Sequence, residues 1–409
     1  MTGILDYLAI GVGPANLSLA AQADAVPGLT GLHLDRRDSF AWHPGLMLPD
    51  ATLQVSPLKD LVTPVDPTSR FSFLAFLAAK GRFYQFLTAR FPAVHRAEFN
   101  QYLAWAADQL DTVRFGHEVR EVRFHDDHFE AVTGRDTFRA RHLVLGTGQQ
   151  PLVPAALEGT RGPSVFHSGE FLDHAAGLAG RRVAVVGGGQ SGAEIVRHLL
   201  VGPGAPAQIT WISRRPGFLP LDESAFTNDL YLPESAREFF GRPKARRATL
   251  LTEQKYASDG VNESLLADLY QQIYLATHVD ERPDLIRLLT GHEVTGLTGS
   301  DTAGLRLALK SEESESVVEC DAVVLATGYS QRLAPCLAPL TARLHLDEDG
   351  LPAVREDFSV DWDDPGGNRI YLQNGAQHAF GITDPNLSLL AWRSSVILDS
   401  IRTHGGTGR

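Results

Sequence analysis

Two glycine-rich turns of the kind that bind a pyrophosphate lie about 175 residues apart in the chain. The first runs Gly11-Val12-Gly13-Pro14-Ala15-Asn16, and the second runs Gly187-Gly188-Gly189-Gln190-Ser191-Gly192. Glycine lets the backbone approach a phosphate, and the helix that follows offers free N–H groups and the positive end of its dipole. Two such turns in one chain predict two bound dinucleotides, and hence redox chemistry between a flavin and a nicotinamide.

The residues some twenty or more positions after each turn indicate which nucleotide is bound. Asp35 follows the strand after the first turn, where a carboxylate accepts hydrogen bonds from a ribose. Arg214 and Arg215 stand at the corresponding place after the second turn, where guanidinium groups pair with a 2′-phosphate. This favours NADPH over NADH. Two solvated arginines in a loop are the alternative, and Asn16 departs from the usual third glycine of the first turn.

The elements around the turns predict an α/β fold. Apolar runs that read as parallel strands occur at 7–10, 32–34, 141–145, 182–186, 209–212 and 321–325. The pattern predicts two Rossmann-like dinucleotide-binding domains, one inserted in the other. We expect the first part of the FAD-binding domain at 1–165 and an inserted NADPH-binding domain at 166–320. A mostly helical substrate-binding segment is expected at about 222–290, and the C-terminal FAD part, with a substrate-site loop, at 321–409.

Composition narrows the class of protein. The 409 residues carry a formal net charge of -12, which argues against nucleic acid or an anionic membrane surface as a partner. Cys320 and Cys336 form no CxxC pair, so we expect neither a disulfide framework nor a redox cysteine pair, and the sequence singles out no metal site. Residues 1–6 show no basic leader, and no apolar stretch approaches the roughly 20 residues of a membrane span. A cytoplasmic protein is expected.

The segment at 53–63 is unusual for a connector between two strands. It reads Leu-Gln-Val-Ser-Pro-Leu-Lys-Asp-Leu-Val-Thr. From spacing alone, the favoured interpretation is a helix with Leu58, Leu61 and Val62 in the core, and with Lys59 and Asp60 on its solvated face. In that interpretation the segment carries no chemistry.

Taken in order, these motifs resemble a known family along nearly the whole chain. The resemblance includes the proline-bearing first turn, Trp42-His43-Pro44-Gly45, residues 54–63, Asp66-Pro67-Thr68-Ser69, Arg96 with Glu98-Phe99, the second turn, Phe226-Thr227-Asn228-Asp229, residues 325–329 and 384–390. The sequence resembles the flavin-dependent N-hydroxylating monooxygenases of siderophore biosynthesis. Within them it is most similar to the L-lysine N6-monooxygenases, with the L-ornithine N5-monooxygenases as close relatives.

The resemblance implies roles for particular residues and reverses the interpretation of Lys59. It implies that Lys59 contacts the substrate carboxylate, that Asn228 and Ser388 hold the substrate, and that Gln54 lies beside both flavin and substrate. It implies NADPH contacts for Arg96, Gly187, Gly189, Gln190, Ser191, Arg214, Arg215 and Asn262. The FAD contacts that it implies are Gly11, Gly13, Pro14, Asn16, Asp35, Trp42, His43, Gln54, Gly328, Asn386 and Leu387.

The implied reaction is N6-hydroxylation of L-lysine by NADPH and O2 through a flavin C4a-hydroperoxide. No side chain of the protein is expected to have a catalytic role. Lys59 favours an amino acid over a diamine, and the choice of lysine over ornithine rests on resemblance at 83–88 and 386–394. L-Ornithine, putrescine and cadaverine stay open as substrates. The resemblance also implies a homo-oligomer, a tetramer in many relatives. The alternatives are a flavin disulfide reductase, a sulfide or ketone monooxygenase, and a non-catalytic flavin-binding redox sensor.

Overall fold

The structure is a computed structural model that describes residues 3–364 and 366–404; residues 1 and 2, which belong to the segment where no basic leader is expected, lie outside the described residues. The described strands are β1 (Leu5–Ile10), β2 (Gly31–Leu34), β3 (Val113–Arg114), β4 (Val119–His125), β5 (His128–Thr133), β6 (Thr137–Leu145), β7 (Gln150–Pro151), β8 (Val165–His167), β9 (Arg182–Val186), β10 (Gln208–Ser213), β11 (Ile286–Thr290), β12 (Glu293–Ser300), β13 (Gly304–Lys310), β14 (Glu315–Cys320), β15 (Ala322–Leu325), β16 (Tyr329–Ser330) and β17 (Ile370–Leu372).

The α-helices of the same residues are α1 (Pro14–Ala23), α2 (Phe73–Ala79), α3 (Phe83–Ala89), α4 (Arg96–Ala107), α5 (Phe171–His174), α6 (Gln190–Val201), α7 (Ala225–Asn228), α8 (Pro233–Phe240), α9 (Lys244–Glu253), α10 (Lys255–Ser258), α11 (Glu263–Tyr274), α12 (Gln377–Phe380) and α13 (Leu390–His404). Short 3₁₀ turns at Asp229–Tyr231, Gly381–Thr383 and Leu387–Leu389 connect several of them. None of the helices in this part of the chain has the length and apolarity to cross a bilayer.

The first sheet has the strand order β3-β2-β1-β6-β5-β4, with β17 added beside β6. Strands β1, β2, β3, β6 and β17 run parallel, whereas β4 and β5 form an antiparallel hairpin next to β6. The last four residues of β1 and of β6 are buried, as expected for central strands covered on both faces. Helices α1, α2, α4 and α13 pack over one face and bury an aromatic cluster.

The second sheet is wholly parallel in the order β11-β10-β9-β15-β8. Each of its three interior strands, β10, β9 and β15, ends in a run of at least four buried residues. Helix α6 leaves the end of β9 and packs with α11 on one face. The expected α/β architecture with two dinucleotide-type sheets is therefore confirmed.

The expected boundary at residues 320 and 321 is wrong. Strand β15 was expected in the C-terminal FAD part, but it pairs with β8 and β9 in the second sheet. Both β6 and β15 are apolar runs that end in small residues, so the sequence pattern of each is compatible with either sheet. Only the hydrogen bonds between strands determine which sheet a strand joins. After β15, β16 pairs with β7 in a separate two-stranded sheet, and the chain returns to the first sheet at β17 beside β6.

The segment at 222–290 is mostly helical, as expected, although it ends in strand β11. Helix α8 packs against α12 and the turn Gly381–Thr383, whereas α11 packs against α6 of the second unit. The segment therefore contacts both the C-terminal loop of the first unit and the first helix of the second unit.

The helix expected around Leu58, Leu61 and Val62 does not form, because the structure has consecutive turns there. Leu61 and Val62 are buried in the core, but Leu58 is 46% exposed. Asp60, expected on a solvated face, is completely buried. The apolar spacing thus reflects two core contacts of an irregular loop.

Candidate functional site

The first glycine turn closes the carboxyl end of the first sheet. Gly11 has φ +89°, and a Cβ atom there would overlap the carbonyl oxygen of Gly146. Gly13 caps helix α1 without any side-chain hydrogen bond to the helix, and the space where a Cβ atom of this residue would stand is open. The first N–H groups of α1 therefore face that space, which fits the pyrophosphate of a dinucleotide.

Two predicted FAD contacts are engaged within the protein. Asn16 is fully buried, and its amide donates to the carbonyl oxygens of Ile10 and Gly11 at 3.2 and 2.8 Å. The Asp35 carboxylate accepts from the Val12 N–H at 2.7 Å and from the Arg37 guanidinium at 2.9 and 3.0 Å. Asn16 thus braces the turn, and Asp35 ties the turn to the loop after β2.

The charge of Asp35 is stabilised by these contacts. Burial acts to raise the pKa of Asp35, but the hydrogen bonds and positive charge of Arg37, together with the Val12 N–H, lower it below its usual value. The carboxylate therefore stays ionised. A ribose contact through Asp35 stays a prediction, because the four hydrogen bonds recorded for the carboxylate already use both oxygens.

Trp42 and His43 lie beside this turn, and their rings are 5.2 Å apart. The Trp42 N–H donates to Asn100 Oδ1 at 3.1 Å. Desolvation among the surrounding protein atoms, then the charges of Arg96 and Arg37, lower the pKa of His43 to about 4, so the ring is neutral near pH 7. His43 nonetheless keeps an exposed surface.

The C-terminal loop that carries Asn386, Leu387 and Ser388 is fixed by a buried ion pair. Arg393 and Asp384 lie 2.8 Å apart and are 2% and 1% exposed. Arg393 also donates to Gln373 Oε1, and the Gln373 amide donates to the Ala15 carbonyl oxygen in the first turn. This network attaches the loop to the start of α1.

Within the loop, the Asn386 side chain caps the 3₁₀ turn by accepting a hydrogen bond from the Ser388 N–H at 2.7 Å. The Ser388 hydroxyl is left for another partner, which is Lys59. Lys59 Nζ donates to Ser388 Oγ at 3.2 Å, and partial burial lowers the pKa of Lys59 from its usual value. The structure thus brings together two residues predicted for the carboxylate end of the substrate.

Asp60 fixes the loop that carries Lys59. Its carboxylate accepts hydrogen bonds from the N–H groups of Val62, Thr63 and Phe73 at 2.6–2.9 Å, and from the Thr63 hydroxyl at 2.8 Å. Two further bonds hold Leu61: its carbonyl accepts from the Ser18 hydroxyl of α1, and its N–H donates to the Tyr102 hydroxyl of α4. Lys59 is therefore held next to the first turn by buried contacts.

Gln54 and Asn228, the other two predicted substrate residues, are exposed. The Asn228 amide donates to the carbonyl oxygens of Glu223 and Ser224 at 3.0 and 3.2 Å. Helix α7 ends at Asn228, and the next turn packs against Gly381–Thr383, which in turn packs against Leu387–Leu389. Asn228 is thus on the side of Ser388, without a recorded hydrogen bond to Lys59 or Ser388 in the described chain.

The second glycine turn repeats the geometry of the first. Gly187 has φ +133°, and a Cβ atom there would overlap the Ala326 carbonyl oxygen. Gly189 caps α6 without a side-chain bond, and Gly189 and Ser191 stand beside the open helix end. This turn fits a second dinucleotide. Gly328, the predicted FAD contact after β15, has an exposed backbone, and its carbonyl oxygen accepts from the Leu152 N–H at 3.0 Å.

The two predicted 2′-phosphate ligands differ in their surroundings. Arg215 donates to the carbonyl oxygen of Asp259 at 2.8 Å and contacts its carboxylate at 3.4 Å. Arg214 is exposed, and within the described residues the structure records no hydrogen bond or ion pair for it. Arg214 is therefore the arginine available to a phosphate without a competing carboxylate.

Arg96 and Asn262, predicted NADPH contacts, are both joined to helix α6. Arg96 forms a bidentate ion pair with Glu194 at 2.6 and 3.1 Å, and both side chains are largely buried. Gln190 donates to Glu194 at 2.8 Å and accepts from the Asn262 N–H at 2.9 Å. The Asn262 side chain caps α11 by accepting from the Ser264 N–H.

Sequence reasoning missed several residues that organise this site. They are buried or charged side chains that hold the predicted ones: Asp60, Gln373, Asp384, Arg393, Glu194 and Glu223. A signal existed for Asp60, Asp384 and Arg393, because they lie inside stretches that carry the resemblance. Glu194 and Glu223 had no signal, since an acidic residue beside a phosphate-binding turn is not expected.

The two turns, each at the carboxyl end of a parallel sheet, define a two-dinucleotide oxidoreductase. Residues 3–331 match the family model of L-lysine 6-monooxygenase/L-ornithine 5-monooxygenase. The chain is 38% identical to the L-lysine N6-monooxygenase of Escherichia coli over 402 residues, which is 97% of this chain and 94% of that protein. The chain therefore belongs to the L-lysine 6-monooxygenase/L-ornithine 5-monooxygenase family.

Solved structures agree with this assignment. The cadaverine monooxygenase of desferrioxamine biosynthesis from Erwinia amylovora, bound to FAD, superposes with a TM-score of 0.91 at 32% identity, covering 98% of this chain and 95% of that one. The ornithine N-hydroxylase from Kutzneria sp. 744, with reduced FAD, NADP+ and L-ornithine, gives a TM-score of 0.90 at 32% identity, with coverage of 98% and 99%. The chain is thus a flavin-dependent N-hydroxylating monooxygenase.

Proposed function

We propose that the chain hydroxylates N6 of L-lysine in the biosynthesis of a hydroxamate siderophore. The reaction is L-lysine + NADPH + H+ + O2 → N6-hydroxy-L-lysine + NADP+ + H2O. The cofactors are FAD at the first glycine turn and NADPH at the second. When bound, FAD reduced by NADPH supplies the activation of dioxygen, and the protein supplies binding, orientation and desolvation.

The observation that carries the choice of an amino acid is the placement of Lys59. Its ammonium group is half-buried, is held by Ser388 at 3.2 Å and has no carboxylate among its recorded partners in the described chain. A half-buried cation of this kind is stabilised by an anionic ligand, because removal from water disfavours the charge when it stands alone. The carboxylate of an amino acid supplies that anion, whereas a diamine would add a second positive charge.

At the reacting end of the substrate, the reaction requires a neutral amine more than it requires a general base on the protein. Only an unprotonated amine is nucleophilic, and with a pKa of about 10.4 roughly one lysine side chain in a thousand is neutral near pH 7.4. A desolvated cleft raises that fraction, because burial disfavours the ammonium form. His43 and Asp35 do not compete for the role of base, since His43 has a lowered pKa and Asp35 is hydrogen-bonded to Arg37.

The test is hydroxylamine formation by the purified holoenzyme with L-lysine, L-ornithine, putrescine and cadaverine. We expect the highest kcat/KM with L-lysine, and little product from cadaverine, which has the same reacting end but lacks the carboxylate. Equal yields from lysine and cadaverine would contradict the role of Lys59. A preference for L-ornithine would be consistent with the role of Lys59 at the carboxylate but would contradict L-lysine as the substrate. The two amino acids differ by one methylene, which is worth only about 1–3 kcal/mol.

A further inference from the structure

A continuous chain of hydrogen bonds connects the second glycine turn to the substrate residue Asn228. Gln190, the first residue of helix α6, accepts from the Asn262 N–H at 2.9 Å. The Asn262 amide donates to both carboxylate oxygens of Glu223 at 3.2 Å. The main-chain carbonyl of Glu223 in turn accepts from the Asn228 amide at 3.0 Å. Glu223 is thus the link between a nucleotide contact and a substrate contact.

The two stretches of chain that contain these residues are also paired along their backbones. The Leu221 N–H donates to the Val261 carbonyl oxygen at 2.8 Å, and the Val261 N–H donates to the Leu219 carbonyl oxygen at 2.9 Å. Val261 is completely buried, so this pairing is anchored in the core of the second unit. The stretch that contains Asn262 is thus joined directly to the stretch that leads into residues 221–228.

The other end of the chain leads to the first unit. Gln190 donates to Glu194 at 2.8 Å, and Glu194 pairs with Arg96 at the start of helix α4. Gln190 is therefore held by Glu194 on one side and by Asn262 on the other. A dinucleotide at this turn takes up the free N–H groups at the start of α6 and contacts the side chains around them, so it changes the surroundings of Gln190.

We propose that Glu223 is a positioning residue that couples nucleotide binding at the second turn to the placement of Asn228. The proposal rests on the proposed function only in taking Asn228 as a substrate contact. Coupling between two ligands requires an element whose arrangement both of them bias, and the paired stretches 219–223 and 259–262 are that element. Binding of NADP+ then orders Asn228 for the amine substrate, and by reciprocity the substrate tightens NADP+.

The first test compares Glu223→Ala with Glu223→Gln and the control Glu238→Ala, an exposed glutamate of α8 in the same segment. Calorimetry gives the Kd of the best of the four amines for the oxidised holoenzyme, with and without saturating NADP+. We expect NADP+ to tighten amine binding about fivefold or more in the parent enzyme and in Glu238→Ala, as is typical of allosteric coupling. The ratio of the amine Kd without NADP+ to the amine Kd with NADP+ should approach one in Glu223→Ala. Glu223→Gln keeps an acceptor oxygen and should retain part of the tightening by NADP+.

A second measurement is independent of the substrate. NADP+ alone should slow hydrogen exchange in a peptide covering 222–229 of the parent protein, and this protection should vanish in Glu223→Ala while FAD content and thermal midpoint are unchanged. Equal protection in Glu223→Ala and the parent protein would overturn the proposal, as would an unchanged Kd ratio. If none of the amines is hydroxylated, the proposed function fails, and the exchange experiment still decides the role of Glu223.

Discussion

Lys59 Nζ donates a hydrogen bond to Ser388 Oγ across 3.2 Å, although 329 residues separate the two in the sequence. Each residue is fixed by its own buried network. The Asp60 carboxylate holds the loop of Lys59, and the Asp384–Arg393 ion pair holds the loop of Ser388. Both networks reach helix α1, through Ser18 and through Ala15 respectively. The distance between a predicted substrate clamp and the first glycine turn is therefore set by buried polar contacts.

Replacement of Lys59 and Ser388 should show that they act together. Lys59→Ala removes the cation and should lower kcat/KM for L-lysine by about 10-fold to 100-fold, mainly through KM, since a hydrogen bond to a charged group contributes about 1.5–3 kcal/mol. Ser388→Ala should have a smaller effect. Because the side chains touch, the double variant should lose less than the product of the two single losses. The measurement is a double-mutant cycle on kcat/KM, with Lys310→Ala, an exposed lysine on β13, as the control. Strict additivity would contradict a shared role.

Asp60→Asn should loosen the loop of Lys59 without touching the substrate. The amide would direct its NH2 group toward backbone N–H donors that the carboxylate now satisfies, at a cost of about 2–3 kcal/mol. We expect the thermal midpoint to fall by roughly 2–4 °C and KM for L-lysine to rise, while binding of NADP+ stays unchanged. The matched control is Asp111→Asn, since Asp111 is exposed. A thermal midpoint within one degree of the parent protein would show that the buried carboxylate is not needed.

The arginine pair should contribute unequally to the choice of NADPH over NADH. Arg214→Ala should reduce the NADPH preference in kcat/KM by about 10-fold or more, since a charge-assisted pair with a 2′-phosphate is lost. Arg215→Ala should reduce it less, because Arg215 already donates to Asp259. NADH kinetics should be nearly unchanged in both variants. Initial rates of nicotinamide oxidation with the two cofactors check this, and a larger effect at Arg215 would reverse the assignment.

Acid should destabilise the protein partly through His33, which is completely buried beside Tyr7. Desolvation lowers the pKa of His33 from 6.5 to about 3 in the folded chain. Since the folded pKa lies below the unfolded one, stability is fully present above pH 6.5 and is lost as the pH falls. The loss is about 1.4 kcal/mol per pH unit in the window between the unfolded pKa of 6.5 and the folded pKa of about 3.

The measurement for His33 is the free energy of urea unfolding between pH 7.5 and 5. His33→Leu, which cannot titrate, should show a flatter dependence on pH than the parent protein. His125→Leu, at an exposed histidine on β4, serves as the control and should follow the parent curve. The same slope in His33→Leu and the parent protein would contradict a buried neutral imidazole.

Local sequence was sufficient for the two glycine turns and for the strands and helices around them. Gly11 and Gly187 lie in turns at the ends of β1 and β9, as the spacing predicted, because strand, turn and helix are encoded by neighbouring residues. The structure adds that both glycines have positive φ. Local patterns were not sufficient where the same pattern is compatible with two different structures. Strand β15 suits either sheet by composition, and the apolar spacing at Leu61 and Val62 suits a helix as well as an irregular loop.

The sequence by itself determined the parallel α/β architecture and, through ordered motifs, the residues of the candidate site. Tertiary structure decided which of those residues contact one another and which are already paired with other groups of the protein. Lys59 reaches Ser388, whereas Arg215 is held by Asp259, Arg96 by Glu194, and Asn16 by the turn itself. The physical reason is that a charge removed from water needs a partner, and for Arg215, Arg96 and Lys59 the partners come from segments 44 to 329 residues away, which no local pattern specifies.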